Sequence, residues 1–301
     1  MSKGPRKVAV IGFGSQGRAW AKQLRAAGAH VTVGLRTRSK SRAVAKRLGF
    51  AVATPVQAVT ACEAIAILVP DQAGRRVMTE LLQHTQPDCL VVFAAGYPMV
   101  FPSPLKASRD LVLVAPHGPG RDLEAGRSMS GFVAVGHDAS GKAMTRARAF
   151  ARRLGLHPLY DTTPRSEALG DLFGEQALLC GGLLGLSAEV ASVMVRHGVP
   201  ASHAWYETVG QLERLSRLLA EQGVAGFWRE ISDCAAAGAA RADRRLFGPE
   251  FARALASVWD DVESGRFARS FQGRGRPRAY PPRWEILARM ERARAVAKKK
   301  G

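Results

Sequence analysis

Three groups of residues in this chain have the types and spacing that chemistry needs. Gly12-Phe13-Gly14-Ser15-Gln16-Gly17 follows the apolar run Lys7 to Ile11 and precedes a stretch with helical periodicity. Asp171 and Glu175 stand four apart in Asp171-Leu172-Phe173-Gly174-Glu175-Gln176, and Glu207 and Gln211 repeat that spacing in Trp205-Tyr206-Glu207-Thr208-Val209-Gly210-Gln211, a pair that alone would mean little. A glycine-rich turn between strand and helix suits a phosphate-bearing ligand, because its backbone can approach closely and the helix N-terminus offers free N–H groups. Side chains four apart share one helical face. Two hard carboxylate oxygens on such a face can begin a Mg²⁺ site that substrate and water complete.

The glycine hexapeptide is the more specific signal. Gly12 permits the tight turn, Gly14 lets the backbone reach a pyrophosphate, and Gly17 lets helix and strand pack closely. A second apolar run, His30 to Gly34, follows the helix, so the context predicts a dinucleotide site that includes Phe13, Ser15 and Gln16. That second strand lacks the acid that would hold the ribose hydroxyls of NAD. It runs instead into Gly34-Leu35-Arg36-Thr37-Arg38-Ser39-Lys40-Ser41. Arginine, lysine and hydroxyl groups there suit an extra 2′-phosphate, so NADPH is the expected cofactor. The alternative is a solvated basic loop.

The carboxylate pair also has a bland alternative, an ordinary surface pair. Its apolar neighbours Leu172, Phe173, Leu178 and Leu179 argue against that, since unpaired like charges on a buried face are costly. Ser232 and Asp233, near the start of a later helix, read either as substrate ligands or as helix caps.

The elements that must hold these groups fall into two halves. Strands are expected at Lys7–Ile11, His30–Gly34, Ala64–Val69, Cys89–Phe93, Leu111–Ala115 and Phe132–Val135, alternating with helices near Arg18–Ala27, Ser39–Leu48, Gln72–Gln83 and Lys142–Leu154. This alternation predicts an α/β fold, a Rossmann-type, doubly wound parallel sheet. After about Thr163 long helical segments take over: Glu167–His197, Ser202–Gln222, Ala225–Ala240, Pro249–Ser264 and Trp284–Lys299. The expected division is therefore residues 1–163 for the NADP-binding domain and 164–301 for an all-helical domain carrying the metal and substrate site and the dimer contacts. Gly181-Gly182 reads as a place for close helix packing, and Gln272 to Pro282 as a loop or extended arm.

Composition narrows the class. The formal net charge is +19, yet the basic residues are scattered, with a terminal Lys298-Lys299-Lys300. No zinc finger, RNP motif or basic-aromatic platform accompanies them, so attraction of anionic cofactor and substrate is favoured over nucleic-acid binding. The start runs directly into a strand without an apolar leader, and no stretch is expected to reach the roughly 18–20 apolar residues that cross a bilayer. Cys62, Cys89, Cys180 and Cys234 stand apart with no ligand spacing. That pattern fits the reducing cytoplasm and argues against a disulfide scaffold or zinc site.

These residues together resemble the short bacterial class of ketol-acid reductoisomerases over nearly the whole chain. The resemblance rests on Ile11 to Gly17, Gly34-Leu35-Arg36 with Ser39-Lys40-Ser41, and Val114-Ala115-Pro116-His117-Gly118-Pro119-Gly120. It is strongest at Asp171 to Gln176 followed by Cys180-Gly181-Gly182, and extends through Gly223 to Gly226, Ile231-Ser232 and Ser264-Gly265-Arg266-Phe267-Ala268. It implies a Rossmann domain with a knotted helical domain, a homo-oligomer of at least two chains sharing an active site, NADPH, and one or two Mg²⁺ ions. It further implies that Asp171, Glu175, Glu207 and Gln211 occupy metal-binding positions, Glu207 reaching the site of a second chain. Ser232 matches the serine that holds the substrate carboxylate. Arg36, Ser39 and Ser41 match the surroundings of the cofactor phosphate, and Pro70 and Gly96 complete the cofactor-side set. The family reaction is alkyl migration in 2-acetolactate or its ethyl homologue, followed by hydride transfer, on the route to valine and isoleucine.

Four positions depart from the family pattern. Gln211 replaces a metal-binding glutamate, Ala95 a histidine of the cleft, His117 a lysine of the water and metal network, and Leu169 a glutamate. Migration relies on Lewis-acid ions to stabilise developing alkoxide charge, and a glutamine lacks the charge that draws Mg²⁺ from water. Histidine also removes a charge the lysine always carries at neutral pH. Hydride transfer asks only for a positioned nicotinamide, a polarising group and a proton donor. Reduction of a 2-oxo acid or similar carbonyl is thus expected to survive better than migration. The other readings are an orthodox ketol-acid reductoisomerase, a reductase of a ketone or imine in specialised metabolism, and a non-catalytic dinucleotide-binding protein.

Overall fold

The computed structural model of the chain describes residues 4–105, 107–271, 277 and 279–297. Most of the expected arm at 272–282, the lysines at 298–300 and the end of the last expected helix lie outside these residues. The described residues form two compact units, Met1–Asp171 with Ala268–Gly273, and Leu172–Phe267 with Arg274–Gly301.

The first unit is built on an eight-stranded sheet: β1 (Lys7–Ile11), β2 (His30–Gly34), β3 (Ala51–Ala53), β4 (Ala64–Ile67), β5 (Leu90–Phe93), β6 (Leu111–Pro116), β7 (Met129–His137) and β8 (Leu156–Asp161). Their order is β3-β2-β1-β4-β5-β6-β7-β8. Its helices are α1 (Ser15–Ala26), α2 (Ser41–Arg47), α3 (Pro55–Val59), α4 (Asp71–Leu82), α5 (Tyr97–Val100), α6 (Gly120–Glu124) and α7 (Ala143–Arg153).

Strand alternation fixes the two faces. Along β1, Val8 and Val10 join a core with Trp20, Leu24 and Phe150, contributed by α1 and α7. Ala9 and Ile11 join the opposite core with Val59, Met78 and Leu81, contributed by α3 and α4. Helices therefore cover both faces, and the central strands are apolar on both sides, as a buried sheet requires.

The sheet differs from a fully parallel one at a single pairing. β7 runs antiparallel to β6, with Leu113 opposite Ala134 and Val114 opposite Val133. A parallel return would need a crossover long enough to span the sheet. The connection instead contains only the short α6, which is anchored to α1. Gln23 donates to the Leu123 carbonyl at 2.6 Å, and Glu124 accepts from Arg18 at 2.7 Å and Lys22 at 2.6 Å.

The second unit is helical: α9 (Gly181–Arg196), α10 (Ala201–Trp205), α11 (Leu212–Glu230), α12 (Asp233–Leu246), α13 (Pro249–Glu263) and α15 (Glu285–Ala297). Before it runs α8 (Pro164–Gly174), and between α13 and α15 lies α14 (Arg266–Phe271). Its small core comprises Ala188, Ala191, Ala204, Leu287 and Met290. Large apolar side chains such as Leu178, Leu186, Val193, Leu219 and Trp228 stand exposed on the single chain.

Two sequence expectations need correction here. The expected single helix Glu167–His197 is interrupted by a wide π turn, π1 (Glu175–Leu179), and the next helix by π2 (Tyr206–Gly210). In addition, the helical stretch Pro164–Arg196 contains an 18-residue window of mean hydropathy 1.8, only 17% of it buried, so one stretch is long and apolar enough to cross a membrane by length and composition. Its leucines, glycines and alanines are spaced by few charges, which raises the average without a continuous β-branched run.

Candidate active site

The glycine turn is shaped by close contacts. Gly12 has φ +103°, and a Cβ there would lie 2.2 Å from the Leu68 carbonyl oxygen. A Cβ on Gly17 would lie 2.5 Å from the Gly12 oxygen. Around Gly14 nothing lies within 4 Å of that position, which leaves open space where a pyrophosphate would approach. Gly14 also precedes α1 without a capping side chain, so the helix N-terminus is left to a ligand. Gln16 donates to the Gly118 carbonyl at 3.4 Å, while its buried Oε1 has no partner among the described residues. An open cradle beside an orphaned polar atom fits a bound dinucleotide.

The second strand delivers the basic loop. Gly34 ends β2, Arg42 reaches back to the Leu35 and Ala53 carbonyls at 2.8 and 3.2 Å, and the Ser39 N–H bonds the Arg36 carbonyl at 2.9 Å. This turn leaves Arg36, Arg38 and Lys40 exposed, with Ser41 opening α2. Pro70 caps α4 after β4, and Gly96 caps α5 after β5. Both lie at carboxyl ends of strands, β4 beside β1 and β5 beside β4, where open α/β sheets bind ligands.

His117 follows β6 and packs edge-on against Phe132, with ring centroids 4.0 Å apart. Its side chain reaches the surface, yet surrounding atoms desolvate it and hold the imidazole below its ordinary pKa, against the pull of the Asp171 carboxylate. Desolvation raises Asp171, with His117 opposing, and it raises Asp71, where the Asp171 carboxylate adds to the effect. A carboxylate raised by its own burial and by a neighbouring carboxylate marks a region receptive to a cation.

Sequence reasoning missed Asp71 and Glu167. Asp71 follows Pro70 at a strand end, and Glu167, Asp171 and Glu175 recur at four-residue steps, so both carried a readable signal. Glu167 is buried, and its Oε2 accepts the Gly96 N–H at 2.5 Å. Leu169 is buried beside it in sequence, an apolar side chain where the family pattern has a carboxylate, and Ala95 supplies only a methyl group.

Glu175 opens π1, whose Cys180 N–H bonds the Glu175 carbonyl at 2.8 Å. The wide turn brings the Gln176 and Ala177 carbonyl oxygens within 2.1 and 2.0 Å of where Cβ atoms of Gly181 and Gly182 would sit. The double glycine therefore makes room for the π turn itself, rather than for a neighbouring helix as the sequence suggested. Asp171 and Glu175 are exposed, as are Leu178 and Leu179, so on the single chain the apolar neighbours do not bury the pair.

Glu207 lies in π2. Its Oε2 accepts from the Gln211 amide at 2.9 Å, and its Oε1 lies 3.4 Å from His203 Nε2. Ser232 ends the run before α12, and its hydroxyl accepts the Ala235 N–H at 3.2 Å, so it serves as a cap, with Asp233 the first helical residue. Among the described residues no three His, Cys, Asp or Glu side chains gather closely enough to hold a metal ion. The hard-oxygen donors fit Mg²⁺ in kind, but each helix of one chain supplies only part of a set.

A doubly wound sheet with this glycine turn, and a helical second unit bearing carboxylates, define a dinucleotide-dependent oxidoreductase. Comparison with known proteins makes the assignment specific. Residues 4–158 match the acetohydroxy acid isomeroreductase NADPH-binding domain, and residues 165–297 match the ketol-acid reductoisomerase C-terminal domain. The chain belongs to the ketol-acid reductoisomerase family. It is 38% identical to the ketol-acid reductoisomerase (NADP(+)) of Clavibacter sepedonicus over 88% of this chain and 80% of the relative. It is 36% identical to the ketol-acid reductoisomerase (NAD(P)(+)) of Metallosphaera sedula over 90% and 84%. Among solved structures, an NADH-preferring ketol-acid reductoisomerase from an uncultured archean aligns with a TM-score of 0.81 at 27% identity, covering 98% of this chain and 89% of that one.

Proposed function

We propose that this chain is an NADPH- and Mg²⁺-dependent reductase of a 2-oxo acid or similar carbonyl, in which hydride transfer is retained and alkyl migration is weakened. The observation that carries this reading is the Gln211–Glu207 pair. An amide that donates to Glu207 at 2.9 Å presents its N–H₂ where a second carboxylate would offer charge. A metal bound there supplies Lewis-acid polarisation of the substrate oxygens. Asp171 and Glu175 would hold it, with Glu207 of a second copy of the chain. Gly14 and the open end of α1 bind the diphosphate, while Arg36, Ser39 and Ser41 hold the 2′-phosphate. Glu167 fixes the Gly96 backbone beside the cleft. With a methyl group at Ala95, and His117 held toward its neutral form, a proton for the reduced oxygen comes from water, which the His117 imidazole can orient.

The exposed apolar side chains along α9 and along α11 support a homo-oligomer, because large apolar patches on a single chain mark surfaces that an assembly covers. The site is then completed between two copies of the chain, in the cytoplasm. The identity to enzymes carrying the family name favours a second reading, that of an orthodox ketol-acid reductoisomerase.

NADPH oxidation with Mg²⁺ separates the two. The assay compares 2-acetolactate with 3-hydroxy-3-methyl-2-oxobutyrate, the rearranged ketone. Turnover of the ketone alone supports the proposal, whereas similar rates with both show that migration is intact and the orthodox reading holds.

A further inference from the structure

Cys62 and Cys89 are remote in sequence but adjacent in the fold. Their sulfurs lie 3.7 Å apart, and both side chains are buried in the core that α3 and α4 form against the sheet. Cys62 sits in the turn after α3, and Cys89 immediately precedes β5. The register Ala64 opposite Leu90, with the Leu90 N–H bonded to the Glu63 carbonyl at 2.9 Å, sets the two residues one step out of line at the starts of neighbouring strands. That offset corresponds to a Cα separation of about 6 Å, inside the range a disulfide spans. A bond at about 2.05 Å needs the sulfurs to close by only ~1.7 Å, and the turn at Cys62 can absorb that.

The pair is also asymmetric. The contact between the two sulfurs, in which either can donate, holds Cys62 below the ordinary thiol value, against its burial, while the shared contact and burial push Cys89 up. The charged groups facing the pair are Glu63 on the Cys62 side, and Arg109 and Arg146 on the Cys89 side. Arg146 is pinned by Asp110 and by the Asp88 carbonyl, each at 2.7 Å, and Arg109 by the Gln86 carbonyl at 3.0 Å.

We infer that Cys62 and Cys89 form an oxidisable dithiol that closes to a reversible disulfide when a peroxide or a small-molecule disulfide reaches the folded chain. With hydrogen peroxide, the Cys62 sulfur attacks one oxygen, the O–O bond breaks, and sulfenic acid and water result. The Cys89 sulfur then attacks Cys62, the S–O bond breaks, and the Cys89 proton leaves with the hydroxyl as a second water. Each sulfur loses one electron overall and the peroxide gains two. A dithiol reductant reverses the bond by exchange. The site lies at the amino ends of β4 and β5, away from the carboxyl ends that face the cofactor, so oxidation alters stability and leaves NADPH binding unchanged.

The test uses the full-length protein with its exposed thiols, Cys180 and Cys234, first capped by an alkylating reagent. The folded protein is then treated with hydrogen peroxide or oxidised dithiothreitol. It is next unfolded, labelled with a second alkylating reagent, and mapped by mass spectrometry. The expected result is a peptide containing Cys62 joined to one containing Cys89, two hydrogen atoms lighter than the separate thiols and restored by reduced dithiothreitol. The oxidised form melts several degrees higher, because the bond closes the 62–89 loop in the unfolded chain. Cys62→Ser gives neither the joined peptide nor the shift. Recovery of both cysteines as thiols labelled only after unfolding, or as sulfinic acids, in a sample whose circular dichroism is native, overturns the proposal.

Discussion

The carboxylate of Glu167, in the first turn of α8, accepts the backbone N–H of Gly96 at 2.5 Å within the nucleotide-binding unit. The same glycine has no room for a side chain, since a Cβ would meet the Pro164 oxygen at 2.4 Å and Glu167 Oε2 at 2.6 Å. Glu167 thus fixes the loop after β5 that carries Ala95. Glu167→Ala strands a buried N–H and is expected to cost about 2 kcal/mol of stability and to lower NADPH-dependent turnover, whereas Glu167→Gln keeps an acceptor and loses less. Thermal melts and steady-state rates of the two variants check this, and equal effects would remove the positioning role.

Gly12 and Gly14 separate folding from cofactor binding. Gly12→Ala places a Cβ against the Leu68 carbonyl at a positive φ and is expected to unfold the domain or destabilise it by several degrees. Gly14→Ala meets nothing in the protein, so its melting temperature should stay near the parent value. NADPH affinity should nevertheless fall by about tenfold or more, because the methyl group occupies the pyrophosphate approach. Isothermal titration beside a thermal melt distinguishes the two effects. A Gly14→Ala protein that binds NADPH normally would falsify this placement.

Gln211→Glu restores a carboxylate beside Glu207. The added charge is expected to tighten Mg²⁺ binding by about tenfold and to raise turnover of 2-acetolactate relative to the rearranged ketone. Without Mg²⁺ the two like charges should lower the melting temperature. Mg²⁺ titrations followed by activity and by melting read both consequences. No change in either measurement would mean that position 211 does not face the metal.

Acid should loosen the first unit through Asp110. This buried carboxylate accepts from the Ala139 and Ser140 N–H groups at 2.9 Å, from the Ser140 hydroxyl at 2.6 Å and from Arg146 at 2.7 Å. Burial alone would raise its pKa, but these bonds together bring it below the ordinary value of 3.8. A depressed folded-state pKa adds stability that is present above the unfolded value and is lost as pH falls through the folded one. Melting temperature should therefore decline below about pH 4, and Asp110→Asn should flatten that decline while costing about 3 kcal/mol at neutral pH. Melts across the acid range of both proteins test it.

Much of the first unit was legible because its signals are local. β1, α1 and β2 announce themselves through apolar runs around Gly12, Gly14 and Gly17. β3 escaped because three residues, Ala51–Ala53, carry no period, and β8 because His157 and Pro158 interrupt its apolar pattern. The reversal of β7 depends on how α6 docks on α1, which no strand pattern records. At the site, Asp171 and Glu175 drew attention by their spacing and Glu207 through the family resemblance, and among the described residues of one chain they do not gather into a metal-binding group. The Gly96–Glu167 bond and the Cys62–Cys89 contact were not legible, because each joins residues far apart in sequence that the sheet brings together.

The two π turns have a consequence for the periodicity of the helices that carry Glu175 and Glu207. Each one admits a single extra residue into its helix, and a residue advances an α-helix by about 100°. The apolar stripe before π1 is therefore out of phase with the stripe after it, so no single helical wheel drawn over Glu167–His197 can show one face. The extra residue acts as a frame shift written in three dimensions. Removing one residue from π1 would leave every downstream side chain chemically intact and turn it toward a different neighbour.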